Sequence, residues 1–316
     1  MHSGKHSGTV AVVLNYRTPH ETIAAVRSIQ ASHTAATILV VDNASGDRSL
    51  DLLRGHLSGV HLIAAANNEG FSVGCNLGIA EALERGAARL LLLNSDATID
   101  SGALDLLEQA LDSDARLGIV APVIVSRGKP DEIQSLGISY STKTGRMWHR
   151  GFGRSRATLP PFDRQAVDAV SGCAMLIRRE VFDTVGLLPQ EYFFGFEDLD
   201  YCLRARAAGF AIACIGGATV RHEGSLSMGR RSGLRSYYAT RNHLRVASRF
   251  GASRPPLRAL RVVSVLALNF AHALTMSEVP IPEALAGFLR GARDHFKGRY
   301  GAAPVAGTTR AQPPNG

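Results

Sequence analysis

The chain is poor in several things, and each scarcity excludes a class. Its four cysteines, Cys75, Cys173, Cys202 and Cys214, form neither a C-x-x-C pair nor a zinc spacing. That argues against a disulfide framework and a cysteine zinc site, and leaves them as small core residues of a reducing compartment. The most apolar late run, Val262 to Leu274, is interrupted by Ser264, Asn269 and His272 and stops short of the ~20 residues that a membrane span needs. Met1 to Thr9 is polar and leads directly into a strand pattern, with no secretory signal. The expectation is a cytoplasmic protein, at most peripheral on the inner face of the cytoplasmic membrane. Acid is scarce in one long stretch: between Arg221 and Arg261 ten arginines accompany a single carboxylate, Glu223. Such a stripe suits an anionic partner, a phosphate-bearing substrate or an anionic lipid surface, as readily as it suits a plain solvated helix. Little aromatic interleaving accompanies it beyond Tyr237 and Tyr238, so nucleic acid is not an expected partner.

What is present is an alternation. Of the 316 residues, 45% are hydrophobic, enough for a sizeable core. Continuous apolar runs at 9–14, 37–42, 60–65, 89–94 and 118–123 read as strands buried on both faces. Helical patterns at 22–31, 49–57, 71–85 and 101–111 separate them. This predicts an α/β fold with a mostly parallel, Rossmann-like central sheet flanked by helices. From 126 to 165 the pattern weakens into a loop-rich insertion or short antiparallel strands. Strand character returns at 166–177, a short helix follows at 178–185, and a strand at 218–221 precedes His222. From Leu234 onward the chain reads as helical. The expected organisation is a flexible start (1–8), an α/β domain (9–233) whose halves (9–125 and 126–233) the family resemblance given below implies to be a nucleotide-sugar half and an acceptor half of a catalytic domain, a C-terminal helical region (234–301) and a disordered tail (302–316).

Polar residues gather where the strands end: Asp42 and Asn43, Asn67 and Asn68, Asn94 and Asp96. In open α/β sheets ligands bind at that edge. Asp42 could accept hydrogen bonds from a base or ribose, or close a local turn over Ser45. Residues 67–78 form a glycine-bearing loop opening a helix, where backbone N–H groups can face an anion. The loop lacks the ending of a Walker A motif and is no G-x-G-x-x-G. Asp96 suits a hard divalent cation, which takes oxygen ligands and leaves positions for phosphate and water. Glu197, Asp198 and Asp200 follow a run of aromatics. Asp200 stands four residues before Arg204, a helical salt-bridge spacing, which leaves Asp198 as the candidate base with Glu197 second. His222 is a candidate ligand through its neutral imidazole.

Together these segments resemble inverting glycosyltransferases of family 2 with a GT-A fold. The resemblance runs from about residue 9 to 245. It rests on Asn15-Tyr16, Val41-Asp42-Asn43, Asn68-x-Gly70-Phe71-x-x-Gly74-x-Asn76-x-Gly78, Leu93-Asn94-Ser95-Asp96, Ser171 to Arg178, Phe196-Glu197-Asp198-Leu199-Asp200 and His222. Among such enzymes it is most similar to bacterial rhamnosyltransferases and galactofuranosyltransferases of cell-envelope polysaccharide assembly. The resemblance implies nucleotide-sugar contacts from Asn15, Tyr16, Asp42, Asn68, Gly70, Phe71, Asn76, Asn94 and Ser95. It implies Mg²⁺ or Mn²⁺ held by Asp96 and His222, and Asp198 as base. The implied partners are a nucleotide-sugar donor, with dTDP-L-rhamnose favoured over UDP-galactofuranose or a UDP-hexose, and a glycan or polyprenyl-diphosphate-linked acceptor. An anionic membrane surface is a further candidate, and a homodimer is one option for the assembly. One departure stands out: the usual D-x-D reads Asn94-Ser95-Asp96, so metal binding would lean on His222. A degenerate, non-catalytic nucleotide-sugar-binding protein is therefore the alternative. A sugar nucleotidyltransferase would carry a Gly-x-Gly-Thr-Arg-type loop where Asn15 to Pro19 stand. A processive synthase would carry membrane spans and Gln-x-x-Arg-Trp, neither of which is present.

Overall fold

The computed structural model describes residues 8–224, 233–251, 254–275 and 279–304. Arg230, Arg231 and most of the expected flexible ends lie outside these.

In chain order the elements are β1 (Thr9–Asn15), α1 (Pro19–Gln30), β2 (Thr37–Asp42), α2 (Ser49–His56), β3 (His61–Ala64), α3 (Phe71–Glu84), β4 (Arg89–Asn94), β5 (Ala97–Ile99), α4 (Ala103–Ser113) and β6 (Leu117–Ser126). Then come β7 (Ile133–Ser135), β8 (Ile138–Tyr140), β9 (Met147–His149), β10 (Arg164–Ala166), β11 (Ala174–Arg178), α5 (Arg179–Val185), α6 (Glu197–Ala207) and β12 (Ala211–His222). Three helices follow: α7 (Gly233–Arg249), α8 (Pro255–Thr275) and α9 (Ile281–Phe296).

The main sheet runs β10-β12-β6-β11-β4-β1-β2-β3. Strands β1 to β4 pair in parallel, as apolar runs separated by helices require; β3, expected to be buried on both faces, is an edge strand and only partly covered. β11 is inserted antiparallel between β4 and β6, which the doubly wound pattern does not anticipate. The reason lies in the preceding chain: residues 126–173 return β11 to the sheet from the opposite end. That insertion forms the short strands β7 to β10, as the weakened pattern suggests. The strand ahead of His222 is much longer than 218–221. Gly216 and Gly217 interrupt its apolar run, and the register slips there between Ile215 and Thr219, a bulge at which glycine is at home.

Two apolar layers cover the sheet faces. One contains Val12, Leu14, Cys75, Ile79, Leu92, Tyr192 and Leu199; the other contains Val13, Ile29, Val40, Leu91, Leu104 and Val220. All four cysteines are buried and free. Gly74 and Gly78 serve close packing of α3, because a Cβ at either would lie 2.5–2.6 Å from Leu14 or Val12.

The arginine stripe divides between inward and exposed residues. Arg241 is fully buried. Arg249 reaches Asp200 and Glu191, both at 2.8 Å. Buried Arg261 donates to the Thr142 carbonyl at 2.9 Å. These three arginines fasten the C-terminal helices to the sheet domain, while Arg254 and Arg258 are exposed. The expected tail at 302 is corrected in part: Ala303 N–H still donates to Tyr238 Oη at 2.8 Å. The apolar run around Val262 is longer as a helix than it reads in sequence, since α8 has 21 residues. Its interruption at Asn269 faces inward, where Nδ2 meets His243 Nδ1 at 2.9 Å.

Candidate active site

At the carboxyl edge of β4, the tight turn into β5 carries Asn94, Ser95 and Asp96. β5 pairs antiparallel with β12, and the register sets His222 opposite Ala97. That pairing brings His222 Nε2 to 3.2 Å from Asp96 Oδ1, with both side chains largely buried. Gln134 of β7 holds the other side of the ring. Its Nε2 donates to the His222 carbonyl at 3.1 Å, which turns its Oε1 toward His222 Nδ1 at 2.8 Å. Nδ1 is thereby assigned the proton. Without a cation the ring is held protonated, its Nε2 ion-paired with the Asp96 carboxylate; a cation at this point would take the place of the Nε2 proton between them. Nε2 has no aligned hydrogen-bond partner, and neither does the buried Asn94 Oδ1. Burial disfavours the charged ring, but the Cys173 sulfur and the Asp96 carboxylate outweigh it and raise the His222 pKa to about 10.

These residues fit a divalent cation. Among the described residues no cluster of three His, Cys, Asp or Glu is present. Mg²⁺, however, is commonly bound by one or two carboxylates plus substrate phosphates. Asp96 and His222 would hold such an ion, with Asn94 Oδ1 on the same turn.

The Ser171-Gly172-Cys173 turn bridges to the second acid. Its Cys173 carbonyl accepts the Asn94 N–H at 2.8 Å, and its Gly172 N–H donates to Asp198 Oδ2 at 2.8 Å. Asp198 Oδ1 accepts the Leu199 N–H at 2.7 Å in the first turn of α6, where the helix dipole favours negative charge. Asp198 is half-buried, so one side is accessible. His149 of β9 lies near it. Burial pushes the His149 pKa down against the opposing pull of Asp198. Glu197 is buried, and its Oε2 has no hydrogen-bond partner. Burial first, then the neighbouring Asp198, raise its pKa to about 8. Asp200 belongs to the framework, as its spacing predicts: it takes Arg204 Nε at 3.0 Å, Tyr192 Oη at 2.6 Å and Arg249 Nη1 at 2.8 Å.

The residues expected to face a nucleotide divide into two groups. Asp42 is braced by Asn15 Nδ2 at 2.6 Å and Ser45 Oγ at 2.6 Å, and its Oδ2 accepts the Ser45 N–H at 3.2 Å. The local turn and the strand-end carboxylate thus coexist. Asn15 itself is fully buried, with Thr22 Oγ1 donating to its Oδ1 at 2.8 Å, so its place is behind Asp42. Asn76 is likewise engaged: its amide exchanges hydrogen bonds with Leu188 N and O at 3.1 and 2.9 Å. The side chains of Asn15 and Asn76, expected at the donor, are thus already engaged with protein partners. Tyr16, Asn43, Asn68, Gly70 and Phe71 line a cleft of about 210 Å³ with Phe193 and Phe194. Asn68 Oδ1 accepts the Gly70 N–H at 3.0 Å and Asn43 Nδ2 at 3.2 Å. Ser95 Oγ lies 3.1 Å from Thr18 Oγ1. The sequence reading missed Gln134 and His149. Each sits on a three-residue strand in the weakly patterned insertion, and only pairing in space brings them to the site.

Residues 11–186 match the model of "Glycosyl transferase family 2". The chain is 28% identical over 214 residues to a dTDP-rhamnosyl transferase, RfbF, of Shigella flexneri, covering 65% of this chain and 68% of that one. It is 26% identical over 220 residues to an N-acetylglucosaminyl-diphospho-decaprenol L-rhamnosyltransferase of Mycobacterium tuberculosis, covering 63% and 70%. In structure it is similar to a mannosyltransferase from Pyrobaculum calidifontis in complex with GDP-Man and Mn²⁺, with a TM-score of 0.57 at 14% identity over 93% of this chain and 88% of that one. S. aureus TarS (residues 1–349) superposes with a TM-score of 0.55 at 15% identity over 92% and 82%. The fold is GT-A, a mixed α/β sheet, mostly parallel, with C-terminal helices. The family-model match, the strand-end carboxylates and the rhamnosyltransferase relatives converge, and this chain belongs to glycosyl transferase family 2.

Proposed function

We propose that this glycosyltransferase moves L-rhamnose from dTDP-L-rhamnose to a hydroxyl of a glycan or polyprenyl-diphosphate-linked acceptor, with inversion, in cell-envelope polysaccharide assembly. The observation that carries the reading is one turn, Ser171 to Cys173. It ties the Asp96–His222 pair at the end of β4 to Asp198 at the start of α6. A charge-holding corner and a base thus face the same strand edge. The rhamnosyltransferase names of two relatives favour the donor.

Asp96 and His222 would hold Mg²⁺ or Mn²⁺, which when bound stabilises negative charge on a leaving diphosphate. Asp42, braced from behind, would accept hydrogen bonds from the nucleoside. Tyr16, Asn68, Gly70 and Phe71 would line the donor, with Asn94 and Ser95 beside its diphosphate. Asp198 would take the proton of the acceptor hydroxyl as that oxygen bonds the anomeric carbon. The anomeric C–O bond breaks on the opposite face, and its electron pair leaves with the nucleoside diphosphate. Glu197, buried and disposed to stay protonated, is the second acid.

The C-terminal helices would dock on an anionic membrane surface from the cytoplasmic side. α8 is, among the described residues, one helix long and apolar enough to cross a membrane by length and composition. Leu260, Val263, Phe270 and Leu274 are exposed on it, it carries no acid, and Arg258 flanks the apolar face. A broad apolar face with cationic flanks suits an anionic interface.

The test is a donor screen of dTDP-rhamnose, UDP-galactofuranose, UDP-glucose and GDP-mannose with and without Mn²⁺. It reads thermal shift and release of nucleoside diphosphate. A shift and slow release confined to dTDP-rhamnose supports the reading. Selective response to another donor replaces the sugar. Binding without release in any pairing favours the alternative, a non-catalytic nucleotide-sugar binder, which Asn94 in place of a carboxylate motivates.

A further inference from the structure

The segment ahead of the candidate base adopts backbone that side chains disfavour. Phe193 sits at φ 63, ψ −51, Gly195 at φ 76 and Phe196 at φ 75. The Phe193 conformation is a γ-turn closed by Phe194 N–H to the Tyr192 carbonyl at 2.8 Å, a rare and strained form. Residues in such regions persist only where the surroundings over-determine them.

One turn of α7 supplies that constraint. Asn242 is fully buried. Its Nδ2 reaches three carbonyls, Tyr192 at 3.0 Å, Phe194 at 2.9 Å and Gly195 at 2.9 Å. An amide nitrogen carries two hydrogens, so the three carbonyls converge on and share one donor group. Asn242 Oδ1 accepts Arg241 Nε at 3.0 Å, and Arg241 Nη2 adds a bond to the Tyr192 carbonyl at 2.8 Å. Tyr238 stacks on Phe193 with ring centroids 5.4 Å apart, and His243 on Phe196 at 5.1 Å.

The other side of the same segment is the site. The Phe193 carbonyl accepts the Phe71 N–H at 2.8 Å in the donor cleft, and Asp198 follows two residues after Phe196. We infer that Asn242 is a positioning residue. Its amide gathers the carbonyls of the 192–195 turn and so sets Asp198 against the cleft wall at Gly70 and Phe71. The C-terminal helices are then part of what assembles the site. The inference rests on the glycosyl-transfer reading for its catalytic readout only.

The test compares Asn242→Ala and Asn242→Asp, the second being of similar size but without the amide donor. The control is Leu244→Ala, which removes buried volume from the same helix without touching the turn. Amide hydrogen exchange across 193–198 is measured on the full chain, with kcat and KM on whichever donor the wild type uses. Both Asn242 variants are expected to speed exchange there by about tenfold or more, as local opening requires. They should lower kcat by about 10–100-fold with little change in donor KM, the scale of a small misplacement of a reacting group. Leu244→Ala should lower Tm and leave the turn's exchange and kcat alone. Unchanged exchange in the turn overturns the clamp whatever the activity. Faster exchange with wild-type kcat overturns the positioning role. If the wild type turns over no donor, the glycosyl-transfer reading falls, and the exchange result alone decides whether Asn242 holds the turn.

Discussion

His222 Nε2 faces Asp96 Oδ1 at 3.2 Å, and Gln134 engages the other ring nitrogen, Nδ1, at 2.8 Å. Gln134→Ala removes the acceptor of Nδ1–H and the brace on the His222 carbonyl while leaving both candidate ligands in place. The expected result is a Mn²⁺ affinity about 10–100-fold weaker, the usual cost of losing a partner behind a metal-bound histidine. Titration of Mn²⁺ against the bound-ion relaxation signal, with nucleoside diphosphate present, reads it without turnover. An unchanged affinity places the cation elsewhere.

Asp198→Asn keeps the size of the side chain and removes its basicity. Transfer should fall by about 10²–10⁴-fold, the usual contribution of a positioned base. Binding of the nucleoside diphosphate should stay within a few-fold, because Asp42 and the cleft are unaltered. Full transfer activity in this variant removes Asp198 from the base role.

Gly70 has φ 103 and ψ 177, and a Cβ there would lie 2.5 Å from the Phe193 carbonyl oxygen. Gly70→Ala should cost on the order of 1–3 kcal/mol from the backbone conformation alone, and the clash adds to it. Chemical denaturation reads the loss. A wild-type midpoint would show that the cleft wall yields freely.

His243 is buried between Gly145 and Asn269, its Nε2 2.7 Å from the Gly145 carbonyl and its Nδ1 accepting Asn269 Nδ2. Burial pulls its pKa down to about 4 against the opposing hydrogen bond to Gly145. The unfolded chain therefore binds this proton first as pH falls. Stability from the neutral ring is full above about 6.5, declines below it and is lost as pH falls to about 4, a contribution on the order of 3 kcal/mol. The ring resonances of His243 should stay unshifted until pH nears 4. A midpoint near 6.5 contradicts the buried neutral ring.

Vesicles containing anionic phospholipid should co-sediment the protein at physiological salt, and neutral vesicles should do so far less. Val263→Glu with Phe270→Glu should abolish pelleting and leave donor hydrolysis intact. A protein that elutes as a dimer and ignores both vesicle types has α8 covered by a second copy instead.

The parallel half of the sheet was legible in the sequence because β1, β2 and β4 are continuous apolar runs buried on both faces; β3, at the sheet edge, is only partly covered, which its run at 60–65 did not announce. The polar residues capping those strands followed from the same pattern, which is why Asp42 and Asp96 could be named. The spacing of Asp200 to Arg204 settled which acid serves the helix, since helical periodicity is local. Other assignments depended on contacts between distant segments. Antiparallel β11 comes from the path of the weakly patterned insertion, and the His222–Ala97 register from the pairing of β12, bulged at 215–219, with β5. The bracing roles of Asn15 and Asn76 come from burial, which an asparagine does not announce. Gln134, His149 and Asn242 act through partners far along the chain. Sequence alone determined the layered fold and the strand-edge chemistry, because hydrophobic periodicity is written residue by residue. Only tertiary structure decided which polar groups converge and which of them brace the others, because hydrogen bonds are directional and join groups that only folding brings within reach.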